Sequence, residues 1–392
     1  MKPENDYDVI VVGAGPAGSF AARKLAEQGL NVVVFDRNQE IGSPKRCGEG
    51  FSRNGEKRLG IKFPEYVIAQ HMDGAWVYAP NGKKVVIEGQ EGYILERKQS
   101  DKWLAGEAAN AGAKIFAKAK VFDVMKEDGF VKGVKVNFLG EDFEVRAKVV
   151  VVADGVESTV ARKAGLNTAC VPTLVDSGIQ YEMYNIDLQD PHKIELYFGN
   201  DVAPRGYVWI FPKGECRANV GVGIRGDDVK TARYYLDKFI ETRPDLKKGS
   251  IIEVNAGSIP VGGFLKNMVM NGLVVVGDAA HQVNPIHGGG MYEAMTAGRL
   301  AAEVIKKAFD KNDFSASVLE EYNKIWWKER GESLRKVEKI REAVEKLNDE
   351  QLNNLAELLQ GENLVEIVHG NYLKLARIFL KFGLKNVASF LK

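Results

Sequence analysis

The chain has 392 residues, of which 45% are hydrophobic and 27% are charged, a composition typical of a globular protein with two or three domains. Its formal net charge of +1 gives no overall positive field that would favour a nucleic-acid partner. No apolar run reaches the roughly 18 residues that a membrane span needs, and we expect no signal peptide. Cys47, Cys170 and Cys216 lack the spacing of a metal or iron–sulfur site, so we predict no metal and a reducing, cytoplasmic environment.

The beginning of the chain has the pattern of a strand, a tight turn, a helix and a second strand. The first apolar run ends at a turn that contains Gly13, Gly15 and Gly18, and the second apolar run ends at Asp36. The helix after such a turn can hold a pyrophosphate at its N-terminus. An acid at the tip of the second strand can accept hydrogen bonds from adenosine ribose hydroxyls. This unit predicts a dinucleotide-binding site.

Three later segments indicate a cofactor longer than a nicotinamide dinucleotide. They are a glycine-rich loop around Cys47, Arg97 ahead of an alanine-rich helix, and a strand that ends at Asp278. Asp278 can bind the hydroxyls of a ribityl chain. The amides of Gly290 and Met291 begin a helix, whose positive end can stabilise negative charge on a reduced flavin ring.

The order of these segments predicts an α/β fold in which a Rossmann-like domain is discontinuous. We expect the cofactor-binding domain to comprise residues 1–60, 95–165 and 263–311. Segments of residues 70–94 and residues 175–225 alternate apolar and polar side chains, and a helix is expected at about 229–242. We therefore predict that residues 61–94 and 166–262 form an inserted, largely antiparallel sheet domain that binds the substrate. Residues 312–392 are predicted to be helical.

Several of these motifs resemble known flavoproteins. Residues 13–18 (GAGPAG), Asp154-Gly155 and Gly277-Asp278 are similar to motifs of the hydroxylase-type FAD proteins in the glutathione-reductase superfamily. Within that group, residues 45–50 (KRCGEG) and 204–212 (PRGYVWIFP) resemble the archaeal geranylgeranyl reductases, which include the digeranylgeranylglycerophospholipid reductases. The resemblance extends over nearly the whole chain. It implies FAD as the cofactor and the saturation of isoprenoid C=C bonds in archaeal lipid precursors as the reaction.

The resemblance also implies which residues contact FAD. With the glycine turn included, the predicted contacts are Gly13, Gly15, Ala17, Gly18, Asp36, Cys47, Gly48, Gly50, Arg97, Val121, Asp154, Asp278, Gly289, Gly290 and Met291. The sequence contains no second complete nucleotide-binding unit. The external electron donor therefore stays open between NADPH, reduced ferredoxin and a reduced deazaflavin.

Tyr207, Trp209 and Phe211 alternate along a predicted strand, so they share one face and turn Val208 and Ile210 to the other. An aromatic wall offers apolar contact to an isoprenoid chain. It also attracts the positive charge that develops on a tertiary carbon during protonation, by about 0.5–2 kcal/mol for each ring. We predict that these three residues bind the substrate, and packing in the sheet core is the alternative explanation.

Tyr207, Trp209 and Cys47 are the predicted catalytic residues, although the role of Cys47 stays open. Its thiol can tune the cofactor, donate a proton, face the substrate or simply fill space. His281, His287, Glu49 and Glu293 are further candidates for the proton donor. The sequence does not identify the donor.

The last segment, residues 371–392, contains five basic residues and no acidic residue. Lys374, Arg377, Lys381 and Lys385 form a stripe on a helix, which predicts peripheral contact with an anionic membrane. A helix packed on the protein with a solvated basic face is the alternative. A second basic run at 330–346 can meet a lipid phosphate or form an exposed charged helix face. The predicted partners are an isoprenoid phospholipid or geranylgeranyl diphosphate and an electron-donor protein.

Other functions on the same fold stay open. Flavin-dependent halogenases also carry an aromatic-x-aromatic strand, although the first aromatic residue in this chain is Tyr207 rather than Trp, and a flavin monooxygenase is a related alternative. A membrane electron-transfer flavoprotein would need cysteines for an iron–sulfur cluster. A cyclase could use reduced FAD to stabilise a carbocation without consuming reductant.

Overall fold

The computed structural model describes residues 2–359 and 364–366, and it places most of them in two large β-sheets with helices on their faces. The predicted basic stripe at 371–392 lies outside the described residues. Within the described ranges, no helix is long and apolar enough to cross a membrane.

Strands predominate as far as residue 275, and helices follow them toward the end of the described residues. The strands are β1 (Asp6–Val12), β2 (Val32–Phe35), β3 (Gly50–Ser52), β4 (Ile68–Tyr78), β5 (Lys84–Leu95), β6 (Lys114–Phe116), β7 (Ala119–Glu127), β8 (Phe130–Phe138), β9 (Glu141–Val152), β10 (Val175–Tyr184), β11 (Lys193–Gly199), β12 (Ala203–Pro212), β13 (Arg217–Arg225), β14 (Ser250–Pro260), β15 (Val269–Met270) and β16 (Leu273–Val275). The helices are α1 (Pro16–Glu27), α2 (Arg53–Leu59), α3 (Arg97–Asn110), α4 (Thr159–Ala164), α5 (Ala232–Glu241), α6 (Pro244–Lys247), α7 (Met291–Lys311), α8 (Ala316–Leu319), α9 (Glu321–Trp326), α10 (Glu332–Val344) and α11 (Asp349–Leu358). A π-helical turn, Trp327–Gly331, joins α9 to α10.

The first sheet has a parallel centre in the order β16-β9-β1-β2-β6, and its valine-rich strands are buried. Val9 of β1 pairs with Val32 on one side and with Val149 on the other. Near-continuous apolar runs of this kind are expected where helices cover both faces of a parallel sheet. Helices α1 and α7 cross closely, since a Cβ on Gly298 would lie 2.6 Å from the Ala17 carbonyl oxygen. The parallel strand ends therefore meet at one edge, as the sequence predicts for the α/β class.

The second sheet has the order β14-β10-β13-β12-β11-β4-β5-β3 and is antiparallel except for the β11–β4 pair. Val208 and Ile210 of β12 are buried in a cluster that includes residues of α5. The other face of β12 is turned toward the 45–50 loop. Strand β3 pairs with β5 in this second sheet, although residues 1–60 are assigned to the cofactor domain in the predicted division. The domain boundaries themselves stay a prediction.

Candidate active site

The glycine turn after β1 is determined by close backbone contacts. Gly13 has a φ of +101°, and a Cβ on Gly18 would lie only 1.9 Å from the Gly13 carbonyl oxygen. Both positions therefore exclude a side chain. Gly15 is different, because no atom lies within 4 Å of where its Cβ would be. The backbone at Gly15 thus faces open space directly ahead of α1.

This open space belongs to a cavity of about 120 Å³ at the carboxyl ends of the first sheet's strands. Gly15, Asp36, Lys45, Arg46 and Arg97 are among the residues that line it. Three basic side chains beside a helix N-terminus provide the charge that a pyrophosphate requires. The sequence predicted three of these five residues as cofactor contacts, and the cavity brings those three together.

Asp36 stands at the end of β2 with its carboxylate oriented by two backbone amides. The amide of Ala14 donates to Oδ2 and that of Asn38 donates to Oδ1, both over 2.8 Å. Each carboxylate oxygen retains a second acceptor site. Asp36 can therefore still accept hydrogen bonds from ribose hydroxyls.

Asp154 follows β9 and lies beside the glycine turn. Its Oδ2 accepts a hydrogen bond from the Val160 amide over 2.9 Å, whereas its buried Oδ1 has no partner within the described residues. Burial raises the pKa of this carboxyl. A buried acceptor without a partner is costly, so this oxygen fits a ligand hydroxyl. Val121, the remaining predicted contact on this side, is buried in β7.

At the same carboxyl edge of the first sheet, Asp278 follows β16 beside β9, and its side chain makes no hydrogen bond in the part of the chain that the structure describes. Burial raises its pKa. A Cβ on Gly290 would lie 3.2 Å from Asp278 Oδ1, so α7 begins directly beside this carboxyl. No side chain caps the N-terminus of α7. Its first amides can therefore donate to a bound acceptor. The observations along this carboxyl edge, from β2 to β16, fit an extended dinucleotide such as FAD.

Arg97 connects the cofactor cavity to the 45–50 loop. Its Nε donates to Asp101 Oδ1 over 2.7 Å, and Cys47 is near enough to affect the pKa of its guanidinium. Burial lowers the Arg97 pKa, but Asp101 and Cys47 outweigh that effect and hold the pKa above its ordinary value. Arg97 therefore remains charged between the cavity and the thiol.

The 45–50 loop lies flat on the aromatic face of β12. A Cβ on Gly48 would lie 3.1 Å from the Phe211 ring. Gln180 of β10 joins the two sides, because its Nε2 donates to the Cys47 carbonyl over 3.2 Å and its Oε1 accepts from Trp209 Nε1 over 2.9 Å. Sequence reasoning missed Gln180, since nothing in the pattern of β10 distinguishes it from other inward-facing residues.

The aromatic side chains of β12 form one row, as the alternation predicts. The ring centroids of Tyr207 and Trp209 are 5.9 Å apart, and those of Trp209 and Phe211 are 6.3 Å apart. Phe198 of β11 extends the row at 5.5 Å from Tyr207, a neighbour that the sequence did not indicate. The Tyr207 hydroxyl donates to the His287 carbonyl over 2.7 Å, and burial raises the Tyr207 pKa. The row therefore reaches from the 45–50 loop to the loop that precedes α7.

A buried network of charges holds the 45–50 loop on the second sheet. Lys213 Nζ lies 2.7 Å from Glu49, 2.9 Å from Glu96 and 3.3 Å from Glu182. Lys45 Nζ lies 2.7 Å from Glu182. Buried charges of this kind are tolerated only when they are paired. This network joins segments that are far apart in the sequence.

Glu49 is the centre of this network rather than an unengaged acid. Its Oε2 accepts from Asn219 Nδ2 over 2.5 Å, and its Oε1 accepts from the Arg97 amide over 2.8 Å. Its φ of +79° is unusual for a residue other than glycine. The side chain therefore anchors the loop, and a role as proton donor would break these contacts.

Two of the other predicted acid candidates are also held by protein groups. His281 is buried, with Nδ1 2.8 Å from the Gly263 carbonyl oxygen and Nε2 3.1 Å from that of Thr168. Glu293 forms a two-point ion pair with Arg330 at 2.7 and 2.5 Å. His287 is exposed, and its Nδ1 accepts from the Gly289 amide over 3.0 Å. All three cysteines are free thiols.

The 330–346 run has two different faces. Arg330 and Arg341 turn inward, where Arg341 pairs with Asp176 at 3.4 Å and with Glu345 at 2.6 Å. Arg335, Lys336 and Lys339 are exposed on α10. Part of the run therefore forms an exposed charged helix face, and part of it is buried in ion pairs.

Comparison with known proteins gives family models that match segments of both sheets. The family model described as geranylgeranyl reductase catalytic domain matches residues 175–259, and the FAD dependent oxidoreductase model matches residues 8–58. A flavin-dependent brominase has a similar fold, with a TM-score of 0.76 at 18% identity, over 93% of this chain and 94% of that chain. At that level of identity the likeness concerns the fold alone.

Three relatives match nearly the whole chain. The digeranylgeranylglycerophospholipid reductase of Methanocaldococcus jannaschii is 44% identical over 93% of this chain and 93% of its own length. That of Methanosarcina acetivorans is 43% identical over 90% of this chain and 88% of its own length. A geranylgeranyl bacteriochlorophyll reductase-like protein of Thermoplasma acidophilum, known from a crystal structure, has a TM-score of 0.90 and 36% identity, over 98% of this chain and 99% of that chain. The chain therefore belongs to the digeranylgeranylglycerophospholipid reductase family.

Proposed function

We propose that this protein is an FAD-dependent reductase that saturates the C=C bonds of geranylgeranyl chains in an archaeal lipid precursor, with digeranylgeranylglycerophospholipid as its substrate. One observation carries the proposal. The 45–50 loop borders the cofactor cavity through Lys45 and Arg46, and it packs through Gly48 on the ring of Phe211. A single short loop therefore lies between the cofactor cavity and an aromatic row suited to an isoprenoid chain.

The residues for the cofactor fall along the carboxyl edge of the first sheet. Asp36, Asp154 and the open backbone at Gly15 are proposed to hold the adenosine and pyrophosphate. Asp278 and the amides of Gly290 and Met291 are proposed to hold the ribityl chain and the ring. When bound and reduced by the external donor, FAD would supply the two electrons of the reduction as a hydride. The external donor stays open between NADPH, reduced ferredoxin and a reduced deazaflavin.

The proton is proposed to come from the Cys47 thiol. The Glu49 amide donates to Cys47 Sγ over 3.2 Å, which leaves the S–H hydrogen available for a substrate carbon. The thiolate that remains would lie near the charged guanidinium of Arg97. A proton from solvent would then restore the thiol, so that each cycle adds one hydride and one proton to one double bond.

The aromatic row would act while positive charge develops on the substrate. Protonation of a trisubstituted alkene places that charge on the tertiary carbon, and the faces of Tyr207 and Trp209 attract it by about 0.5–2 kcal/mol for each ring. The same rings exclude water and bind the apolar chain. Phe211 and Phe198 would extend this surface along the isoprenoid.

The location is proposed to be the cytoplasm, with peripheral contact at the membrane, because the substrate is a membrane lipid. The basic stripe predicted at 371–392 would make that contact with anionic headgroups. The division of the chain into cofactor, sheet and helical domains is part of the same proposal.

The direct test is mass spectrometry of lipid products after anaerobic incubation. Dithionite-reduced, FAD-loaded protein is incubated with digeranylgeranylglycerophospholipid, and we expect mass gains of two hydrogens for each reduced double bond. Absence of any gain with dithionite and with all three physiological donors would contradict the proposal. Oxygen or halide in the product under air would instead identify a monooxygenase or a halogenase.

Variants of the aromatic row test whether the reaction takes place at these rings. Tyr207→Ala and Trp209→Ala should each lower turnover by about tenfold or more, equivalent to about 1.4 kcal/mol of transition-state stabilisation. FAD absorbance should be unchanged. Tyr66→Ala is the matched control, since Tyr66 is 64% exposed. Unchanged turnover in both row variants would show that the rings serve only the packing of the sheet.

A further inference from the structure

A second cavity, of about 250 Å³, lies between α2, α7 and the π-helical turn. Arg58, Arg299 and Arg330 line it together with one carboxylate, Glu329. We propose that this cavity binds the phosphate group of the isoprenoid substrate. The assignment rests on the proposed function and adds to it a site for the polar end of the lipid.

Thr296 gives the first independent indication of a ligand. It lines the cavity from α7, it is 1% exposed, and its Oγ1 has no hydrogen-bond partner within residues 2–359 and 364–366. A buried hydroxyl without a partner is unfavourable, and it would be satisfied by an acceptor placed in the cavity. A phosphate oxygen is such an acceptor.

The arginines are arranged to supply donors. Glu293 is buried and pairs with Nε and Nη2 of Arg330, so it fixes the plane of that guanidinium and leaves Nη1 unused by the pair. Arg299 is held by Glu303 at 2.6 Å and by Glu329 at 2.5 Å. The side chain of Arg58 makes no ion pair or hydrogen bond with any described residue. Planar, oriented guanidinium groups match the geometry of phosphate.

The position of the cavity suits the polar end of an apolar substrate. Leu59 and Tyr292, which also line the cavity, belong to an apolar cluster that contains Phe51 and Met291. Cys47 packs against the same cluster. A phosphate in the arginine cavity would therefore place the start of the attached hydrocarbon next to Leu59 and Tyr292, the members of this cluster that line the cavity.

Binding of inorganic pyrophosphate to FAD-loaded protein, measured by calorimetry, tests the site without requiring turnover. Because FAD would occupy the first cavity, pyrophosphate cannot bind there, and the calorimetry reports on the second cavity. We expect Arg58→Gln to weaken binding by about tenfold, and Thr296→Val to weaken it without lowering the unfolding midpoint. Lys57→Gln is the control, since it removes a neighbouring exposed charge of the same helix outside the cavity. Equal binding by all four proteins would overturn the proposal.

Kinetics then distinguish the substrate's phosphate from free phosphate. Arg58→Gln should raise KM for digeranylgeranylglyceryl phosphate by about tenfold at unchanged kcat, and leave KM for phosphate-free digeranylgeranylglycerol unchanged. Weaker pyrophosphate binding with an unchanged KM would assign the cavity to a free anion and overturn its role in substrate binding. If neither lipid is reduced by the parent protein, the proposed function fails, and the calorimetry still reports on the cavity.

Discussion

The glycine turn at 13–18 and the junction between the 45–50 loop and the second sheet hold their backbones by opposite means. In the turn, Gly13 and Gly18 lie so close that a Cβ on Gly18 would be 1.9 Å from the Gly13 carbonyl oxygen. In the junction, the ammonium of Lys213 lies among three carboxylates, and Asn219 donates to the central one. The turn excludes side chains at its two close glycines, although Asp36 also accepts a hydrogen bond from the Ala14 amide, whereas the junction depends on side chains throughout.

This difference determines how each region responds to change. A steric contact between backbone atoms has no alternative arrangement, because neither atom can rotate away. A buried ionic network carries a large desolvation cost that its pairings offset, so removing one member leaves its partner charged and unpaired. The turn should therefore fail at single glycines, whereas the junction should fail at single charges and be partly rescued by removal of the opposite charge.

The largest expected effect is that of Gly18→Ala. The new Cβ would lie 1.9 Å from the Gly13 carbonyl oxygen, and we expect a loss of about 5 kcal/mol or more in the free energy of unfolding. Gly15→Ala is the matched control, because its φ of −73° suits alanine and its Cβ meets no atom within 4 Å. Urea denaturation of the two apoproteins measures both effects.

The same pair of variants separates folding from cofactor binding. Gly15→Ala should fold with wild-type stability and bind FAD about tenfold or more weakly, because its methyl group would occupy the space in which the pyrophosphate is proposed to lie. Wild-type FAD affinity in Gly15→Ala would show that the pyrophosphate does not lie against this turn. Wild-type stability in Gly18→Ala would mean that the turn can rearrange.

The next largest effect is expected from Lys213→Met in the junction. It removes one of the two buried cations that Glu49 and Glu182 share, the other being Lys45, and we expect a loss of about 3 kcal/mol in the free energy of unfolding. Adding Glu182→Gln should recover part of this loss. Lys307→Met is the control, since its pair with Glu321 is about half exposed and contributes about 1 kcal/mol or less.

The pH dependence of this effect follows from the two pKa shifts. Burial raises the pKa of Glu182, but Lys45 and Lys213 outweigh it and bring the pKa below 4.5. Burial lowers the pKa of Lys213, but Glu49 and Glu96 outweigh it and raise the pKa above 10.5. The pairing of Lys213 with Glu182 therefore contributes fully between pH 4.5 and 10.5, and its contribution falls outside that range. The difference between wild type and Lys213→Met should shrink as the pH falls below 4.5, and a constant difference would contradict this account.

The glycine turn could be predicted from the sequence, whereas the junction between the 45–50 loop and the second sheet could not. The strand–turn–helix unit, Asp36 and the row from Tyr207 to Phe211 were predictable because their rules act over a few neighbouring residues. Periodicity indicates the shared face of a strand, and glycine spacing indicates a turn. The α/β class followed from the order of such units along the chain.

The junction could not be predicted in this way. Lys45 and Glu182 meet only because β10 and the 45–50 loop come together in the folded chain, and no local pattern encodes that distance. The role of Glu49 as an anchor, the bridge made by Gln180 and the arginine cavity beside Thr296 have the same origin. Sequence reasoning considered Glu49 as an acid because its type allows that chemistry, whereas its partners are visible only in the structure.

The smallest expected effect tests whether burial, rather than charge, gives the junction its importance. Glu157 bridges Arg37 and Arg46 at 2.5 and 3.3 Å, but the three side chains are 43–47% exposed. Its hydrogen bond with Arg37 is the main cause that lowers the pKa of Glu157 to about 2, so its contribution is present above pH 4.5 and is lost as the pH falls toward 2. We expect Glu157→Gln to cost about 0.5 kcal/mol or less at pH 7, and less still in about 1 M salt, which screens exposed charges. Urea denaturation at low and high salt measures both values. A loss as large as that of Lys213→Met would show that charge pairing matters regardless of exposure, and the contrast between the two regions would then rest on sterics alone.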